Sequence, residues 1–280
     1  MASLKGKVSL ITGASSGIGW ATALEFARRG ALVAVTGRDA GALAQLKSEI
    51  TAAEGTADDQ VLVLPGDLTD DAKGIVDAAA RHFGALHVLV NSAGVLIGGA
   101  TQDTSMATYD ANMDINARAT FATMSAAIPH MKRSRLHARF EGGGPLNRGG
   151  ARPTMAITNV SSVNGMQSFA GTMAYCASKA AVDHMTRCAA VDLAPLGIRV
   201  NAVNPGIVET PLQRRGGMSE EAYEGFLKRC TETHPLYGAR ELCQPGDVAK
   251  TIAFVSSGDA GCMTGSTVVV DGGRACLGAR

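Results

Sequence analysis

Apolar runs of strand length recur along the chain at residues 8–12, 32–36, 61–65, 86–91, 155–160, 200–204 and 267–271. They are nearly continuous in Val, Ile and Leu rather than alternating with polar residues, the pattern of strands covered on both faces. Between them lie longer stretches with helical spacing, at 18–29, 40–54, 70–83, 104–131 and 172–194. Strand–helix alternation of this kind predicts parallel βαβ units. The expected fold is therefore α/β: a doubly wound, mostly parallel seven-stranded sheet with helices on both faces, formed by residues 1–280 as one domain.

Two segments break the rhythm. Residues 132–153 hold Gly142-Gly143-Gly144-Pro145 and Gly149-Gly150, with six Lys and Arg against Glu141 alone. They read as a basic, glycine-rich loop inserted at the surface. Residues 213–244 are mostly helical and polar and follow a strand end, so a lid over a site is expected at about 207–244.

Composition agrees with one large core, since 46% of the 280 residues are hydrophobic and 18% are charged. The net charge of +1 supplies no field to recruit nucleic acid or an anionic membrane. No apolar run approaches the roughly 20 residues that span a bilayer, and Met1–Lys7 has no apolar leader. A soluble cytoplasmic protein without a membrane or nucleic-acid partner is expected. The six cysteines form no Cys-x-x-Cys pair and the six histidines no ligand pair. Reduced, mostly buried thiols and no metal follow.

The turn Thr12-Gly13-Ala14-Ser15-Ser16-Gly17-Ile18-Gly19 joins the first strand to the first helix. Gly13 permits a tight exit from the strand, Gly17 lets backbone approach a pyrophosphate, and Gly19 lets helix and sheet pack closely. The helix start, with its free N–H groups and partial positive charge, then holds phosphates, and Ser15 and Ser16 add donors.

With its G-x-x-x-G-x-G spacing, this turn resembles that of the short-chain dehydrogenase/reductase family, in its compact single-domain branch. The resemblance continues through Asp67, Asn91-Ser92-Ala93-Gly94, Asn116, Ser162, Tyr175-x-x-x-Lys179, Pro205-Gly206 and Asp271-Gly272-Gly273. Only 132–153 lacks a counterpart. The resemblance implies a Rossmann-type dinucleotide site in which Asp67 accepts from the adenine amino group and Leu68 flanks the ring. Ala93 and Gly94 would lie against the ribose, with Asn91 bracing the sheet beside them. Pro205, Gly206, Val208 and Thr210 would meet the nicotinamide carboxamide and the phosphates. Ser92 departs from the Asn usual at its position.

Gly37 stands where NAD-preferring members of the family carry an acid. It offers nothing to repel a 2′-phosphate, which Arg38 can grip in a bidentate, charge-assisted bond. NADP(H) is therefore the expected cofactor, with NAD(H) the alternative. Asp39 either neutralises Arg38 or caps the next helix.

Hydride transfer to a ketone leaves an alkoxide that must gain a proton, and oxidation runs in reverse. Tyr175 and Lys179 are four residues apart, on one helical face. A free phenol titrates near 10, and a neighbouring ammonium favours its anion. Lys179 would also bond the nicotinamide ribose. Ser162 lies 13 residues before Tyr175, at the family's spacing for the hydroxyl that donates to the carbonyl oxygen, with Ser161 as rival. Asn116 would hold a water of a proton relay. Tyr175 is thus expected as acid/base, Lys179 as its tuner, Ser162 as oxyanion donor and Asn116 as relay anchor.

Met166, Phe169, Met218, Tyr223, Phe226 and Leu227 favour a small apolar carbonyl or alcohol substrate, with 3-oxoacyl reduction the leading specific reading. The alternatives are an NAD-dependent secondary alcohol or polyol dehydrogenase, a binding protein that senses NADPH, and an RNA-associated protein using the basic insertion. The resemblance also implies a homotetramer, with helix 172–194 and the last strand in interfaces.

Overall fold

The computed structural model describes residues 3–54, 56–141, 155–238 and 242–277. Seven strands, β1 (Val8–Thr12), β2 (Leu32–Gly37), β3 (Val61–Pro65), β4 (Val88–Asn91), β5 (Met155–Val160), β6 (Ile198–Pro205) and β7 (Thr267–Val270), form one sheet. Its order is β3-β2-β1-β4-β5-β6-β7, and every neighbouring pair is parallel. Chain order reverses between β1 and β4, which leaves a crevice at their carboxyl ends.

The helices are α1 (Gly17–Arg28), α2 (Ala40–Glu54), α3 (Leu68–Phe83), α4 (Met106–Asn112), α5 (Ala119–Glu141), α6 (Met173–Leu193), α7 (Leu212–Arg215), α8 (Glu220–Thr233) and α9 (Pro245–Ser256). One face of the sheet buries Phe26, Leu43, Leu46, Ile50, Val248 and Ile252, from α1, α2 and α9. The other buries Val76, Ala79, Met124, Ala127, Ala190 and Leu193, from α3, α5 and α6. In β1, Leu10 faces the second layer and Ile11 the first, both fully buried. Each such side chain contributes about 1.5–3 kcal/mol on burial. Because both faces are covered, apolar residues occupy consecutive rather than alternate positions.

Three elements differ from the sequence expectation. The stretch expected as one helix at 104–131 contains a π-helical turn, Met113–Arg118, between α4 and α5. Residues 132–141, expected as loop, instead continue α5, which runs on to Glu141. No Gly or Pro interrupts residues 132–141, and cations favour a helix's carboxyl end. Ser134 docks this part of α5 by accepting the Leu86 N–H at 2.9 Å and donating to the His130 carbonyl at 3.0 Å. The rest of the expected insertion, from 142 to 153, lies outside the described residues. Third, α9 was not anticipated from the hydrophobic pattern, although Asp247 accepts the N–H of Gln244 at 3.1 Å in a local N-terminal signature.

Cys230 and Cys243 are buried, Cys176 is half-buried, and Cys188, Cys262 and Cys276 are exposed. The thiols are thus free but not mostly buried. Among the described residues no helix is long and apolar enough to cross a membrane, and no cluster of His, Cys, Asp and Glu could hold a metal ion.

Candidate active site

The cleft at the reversal point is built from the ends of β1 and β4. The Thr12 hydroxyl accepts the N–H groups of Ser92 and Ala93 at 3.0 and 3.1 Å, tying the two ends together. Gly13 has φ +65°, and a β-carbon there would lie 2.6 Å from the Ala93 Cα and 2.8 Å from the Ser92 carbonyl oxygen. Only glycine fits. Ser16 precedes α1 in extended conformation and provides no side-chain cap. Gly17, Ile18 and Gly19 line the cleft floor just beyond it, with Gly17 facing Thr210 from across the opening. An uncapped helix start carries partial positive charge and spare N–H donors, which suits phosphate.

At the outer end, Gly37 closes β2 beside the Ser15 side chain. Arg38 is 69% exposed, and its nearest acid is Asp67, with Nη1 3.9 Å from Oδ2. Asp39 instead accepts the Ala42 N–H at 2.9 Å, so of its two expected tasks it performs the capping one. Asp67 caps α3, accepting the Thr69 N–H at 2.9 Å and the Thr69 hydroxyl at 2.8 Å through Oδ1. The Thr69 hydrogen bonds, with Arg38 adding to them, hold the Asp67 carboxyl below its usual range against a modest effect of burial. Leu68 lies beside it on the cleft wall.

Asn91 braces the sheet. It does not line the cleft, although Ala93 and Gly94 do. Its amide donates to Asn159 at 2.9 Å and accepts from Thr123 at 2.7 Å, fully buried. It joins β4 to β5 and α5. The chain beyond is held by two amides: Asn112 pairs with the N–H and carbonyl of Ile97, and Asn116 with those of Val95. Asn116, in the π turn, also donates to Ser178 at 2.9 Å. Its side chain is thus spent on positioning the cleft wall, which leaves one acceptor lone pair for the relay expected of it.

Opposite stand Ser162, Tyr175 and Lys179. Ser162 follows β5 and accepts the Asn164 N–H at 3.1 Å. The rival Ser161 donates to the Lys179 carbonyl at 3.1 Å, which turns its hydroxyl into α6. Tyr175 and Lys179 share one side of α6, with Lys179 Nζ 5.8 Å from the centre of the phenol ring. Nζ donates to the Val160 carbonyl at 3.0 Å. Pro205 at the end of β6, with Gly206, Val208 and Thr210 beyond it, completes the wall.

Residues 7–220 match the family model for short chain dehydrogenase. An uncharacterized oxidoreductase of Thermotoga maritima is 34% identical over 98% of this chain and 99% of its own. A 3-oxoacyl-[acyl-carrier-protein] reductase of the same organism is 34% identical over 96% of this chain and 98% of its own. The cyclohexanol dehydrogenase of Acinetobacter sp. (strain SE19) is 35% identical over 95% and 94%. A Caenorhabditis elegans short-chain dehydrogenase/reductase solved with cofactor superposes with a TM-score of 0.84 at 30% identity, covering 98% of this chain and 97% of that one. This chain belongs to the short-chain dehydrogenases. It is an oxidoreductase of a family that works with a nicotinamide cofactor on CH–OH groups.

For this dehydrogenase burial dominates the electrostatics of Tyr175 and Lys179. Burial pushes the Tyr175 phenol up to about 12, against the hydrogen bond from Ser162. The Lys179 ammonium is anchored on Val160 and is itself pushed down to about 8 by burial, with Asp183 opposing. A phenol in that range is protonated at neutral pH.

Several residues of the site went unanticipated. Thr12 shapes the floor. Asn204 donates to the Ser162 carbonyl at 2.8 Å and to both Asp183 carboxylate oxygens at 3.1 and 3.0 Å, bracing Ser162 from behind. Gln213 and Arg215 of α7 line the cleft. Their spacing carries no motif. The apolar residues expected to line the substrate pocket do not form this cleft; Tyr223 is buried beneath Arg214, whose guanidinium lies 4.1 Å from its ring centre. Leu96, Ile97, Ile115 and Leu212 form the apolar wall instead.

Proposed function

We propose that this short-chain dehydrogenase uses NADP(H) to reduce a small apolar ketone or aldehyde, or to oxidise the corresponding alcohol. The observation that carries the reading is Arg38: an exposed guanidinium beside Gly37, with no acid closer than Asp67 at 3.9 Å. Its fork is free to take a 2′-phosphate.

The residues present fit such a dinucleotide. The glycine floor admits backbone-close ligands, α1 starts uncapped, and Asp67 keeps Oδ2 for an amino group. When bound, the nicotinamide supplies the hydride. Ser162 donates to the substrate carbonyl oxygen and fixes it beside Tyr175. Tyr175 delivers its proton to that oxygen as negative charge develops there, and takes it back in the reverse direction. Lys179, which burial pushes down to about 8 and which is still mostly charged at neutral pH, stabilises the phenolate that remains. The apolar wall of Leu96, Ile97, Ile115 and Leu212 favours a substrate without charge. The names of the Thermotoga reductase and the Acinetobacter cyclohexanol dehydrogenase agree with carbonyl or secondary-alcohol chemistry.

A second reading, an NAD-dependent alcohol dehydrogenase, is favoured by the partial sharing of Arg38 with Asp67. Initial rates with NADPH and NADH over a panel of apolar ketones separate the two. A bidentate charged bond is worth roughly 10- to 100-fold in favour of NADPH; a clear NADH preference would overturn the NADP assignment. Assembly into a homotetramer is supported by apolar side chains left in solvent on α6 and β7, with Val191 75% and Val269 38% exposed. A light-scattering mass of one chain would rule it out.

A further inference from the structure

The short helix α7 leans over the cleft. Gly216, just beyond it, sits so close to the Leu96 carbonyl that a β-carbon would collide with it. The two arginines of this turn are in different situations. Arg214 makes a two-pronged bond to Glu220, at 2.8 and 2.7 Å, and covers the Tyr223 ring. Arg215 reaches in the other direction and donates to the hydroxyl of Ser16 at 2.9 Å. Among the described residues it has no recorded carboxylate partner.

A guanidinium is thus placed on the residue that opens α1, where the helix already presents its positive end and no side chain caps it. Two positive features brought together without an acid favour an anion between them. A second unmet group accompanies it. Gln213 is 8% exposed and lines the cleft, yet its Oε1 finds no donor among the described residues. Left without a donor, a buried acceptor costs free energy that a ligand hydroxyl or amide would recover. Among the described residues, one turn therefore carries both an unpaired cation at the cleft and a buried acceptor without a donor beside it.

We propose that Arg215 clamps the pyrophosphate of the bound dinucleotide, so that cofactor binding pins α7 across the cleft. The inference rests on the dinucleotide reading above and adds a residue that no motif marks. It is tested with Arg215→Gln, Arg215→Lys and the control Arg214→Gln. Dissociation constants for NADPH and for NADH are measured by fluorescence titration at low and at physiological salt. Arg215→Gln should weaken both nucleotides by the same factor, about 5- to 30-fold for a charged bond at a partly exposed site, and should flatten the salt dependence. Arg215→Lys should recover much of the loss, and Arg214→Gln should bind like the parent protein.

Unchanged affinity in Arg215→Gln would overturn the clamp while leaving the dinucleotide site intact. So would a loss confined to NADPH, which would put the charge on the 2′-phosphate, or an equal loss in Arg214→Gln. Failure of the parent protein to bind either nucleotide would overturn the dinucleotide reading itself.

Discussion

Replacing Gly13 by Ala tests whether the floor of the cleft is set by steric closeness. The residue has φ +65°, where a side chain costs about 1–2 kcal/mol. Its new β-carbon would also meet the Ala93 Cα at 2.6 Å and the Ala93 nitrogen at 2.7 Å. These are backbone atoms, so no rotamer change relieves the contact, and forcing the strand ends apart costs about a further 1–3 kcal/mol. The total of about 2–5 kcal/mol falls inside the roughly 5–15 kcal/mol by which domains are stable, so the variant should fold. Gly84→Ala isolates the first contribution. Gly84 ends α3 at φ +73° with nothing within 4 Å of a β-carbon. Urea melts should place Gly13→Ala about 1–3 kcal/mol below Gly84→Ala, on the overpacking estimate. NADPH titration should show weakened binding only in the former. Equal stability losses, or unimpaired NADPH binding in Gly13→Ala, would refute the argument.

Tyr175→Phe should abolish turnover while NADPH still binds; retained turnover would remove the phenol from the mechanism. Arg38→Ser should raise the KM for NADPH by roughly 10- to 100-fold and leave that for NADH nearly unchanged, in steady-state assays. A third test concerns His87, whose Nδ1 accepts the Val8 N–H at 3.0 Å. Burial, with Lys7 adding, pushes the ring down to about 4. Between about pH 6.5 and pH 4 the unfolded chain binds a proton that the folded chain refuses. Stability should therefore be fully present above that window and fall as pH falls through it. His87→Gln should flatten this decline in urea melts, and an unaltered slope would count against it.

The sheet could be read from the chain because burial on both faces forces continuous Val, Ile and Leu into each strand. The floor of the cleft was likewise legible, since no other residue can occupy Gly13. What stayed hidden depends on orientation or depth. Asn91 neighbours cleft residues in sequence, and only the fold shows its amide held by Asn159 and Thr123 away from the cleft. Spacing placed Tyr175 and Lys179 on one face of α6; it could not show how strongly burial would shift each of them. The π turn needs only one extra residue, which barely disturbs a hydrophobic pattern. Arg215 and Ser16 are 199 residues apart, and only the folded chain joins them.

The paired amides of Asn112 and Asn116 have a wider consequence. Each takes both the N–H and the carbonyl of one residue, Ile97 and Val95, as an adjacent peptide chain would. Two side chains on a helix thereby imitate a missing eighth strand. The backbone leaving β4 can stay extended and rigid without joining the sheet, so the reversal point keeps its gap while one of its banks is as firmly tethered as the interior.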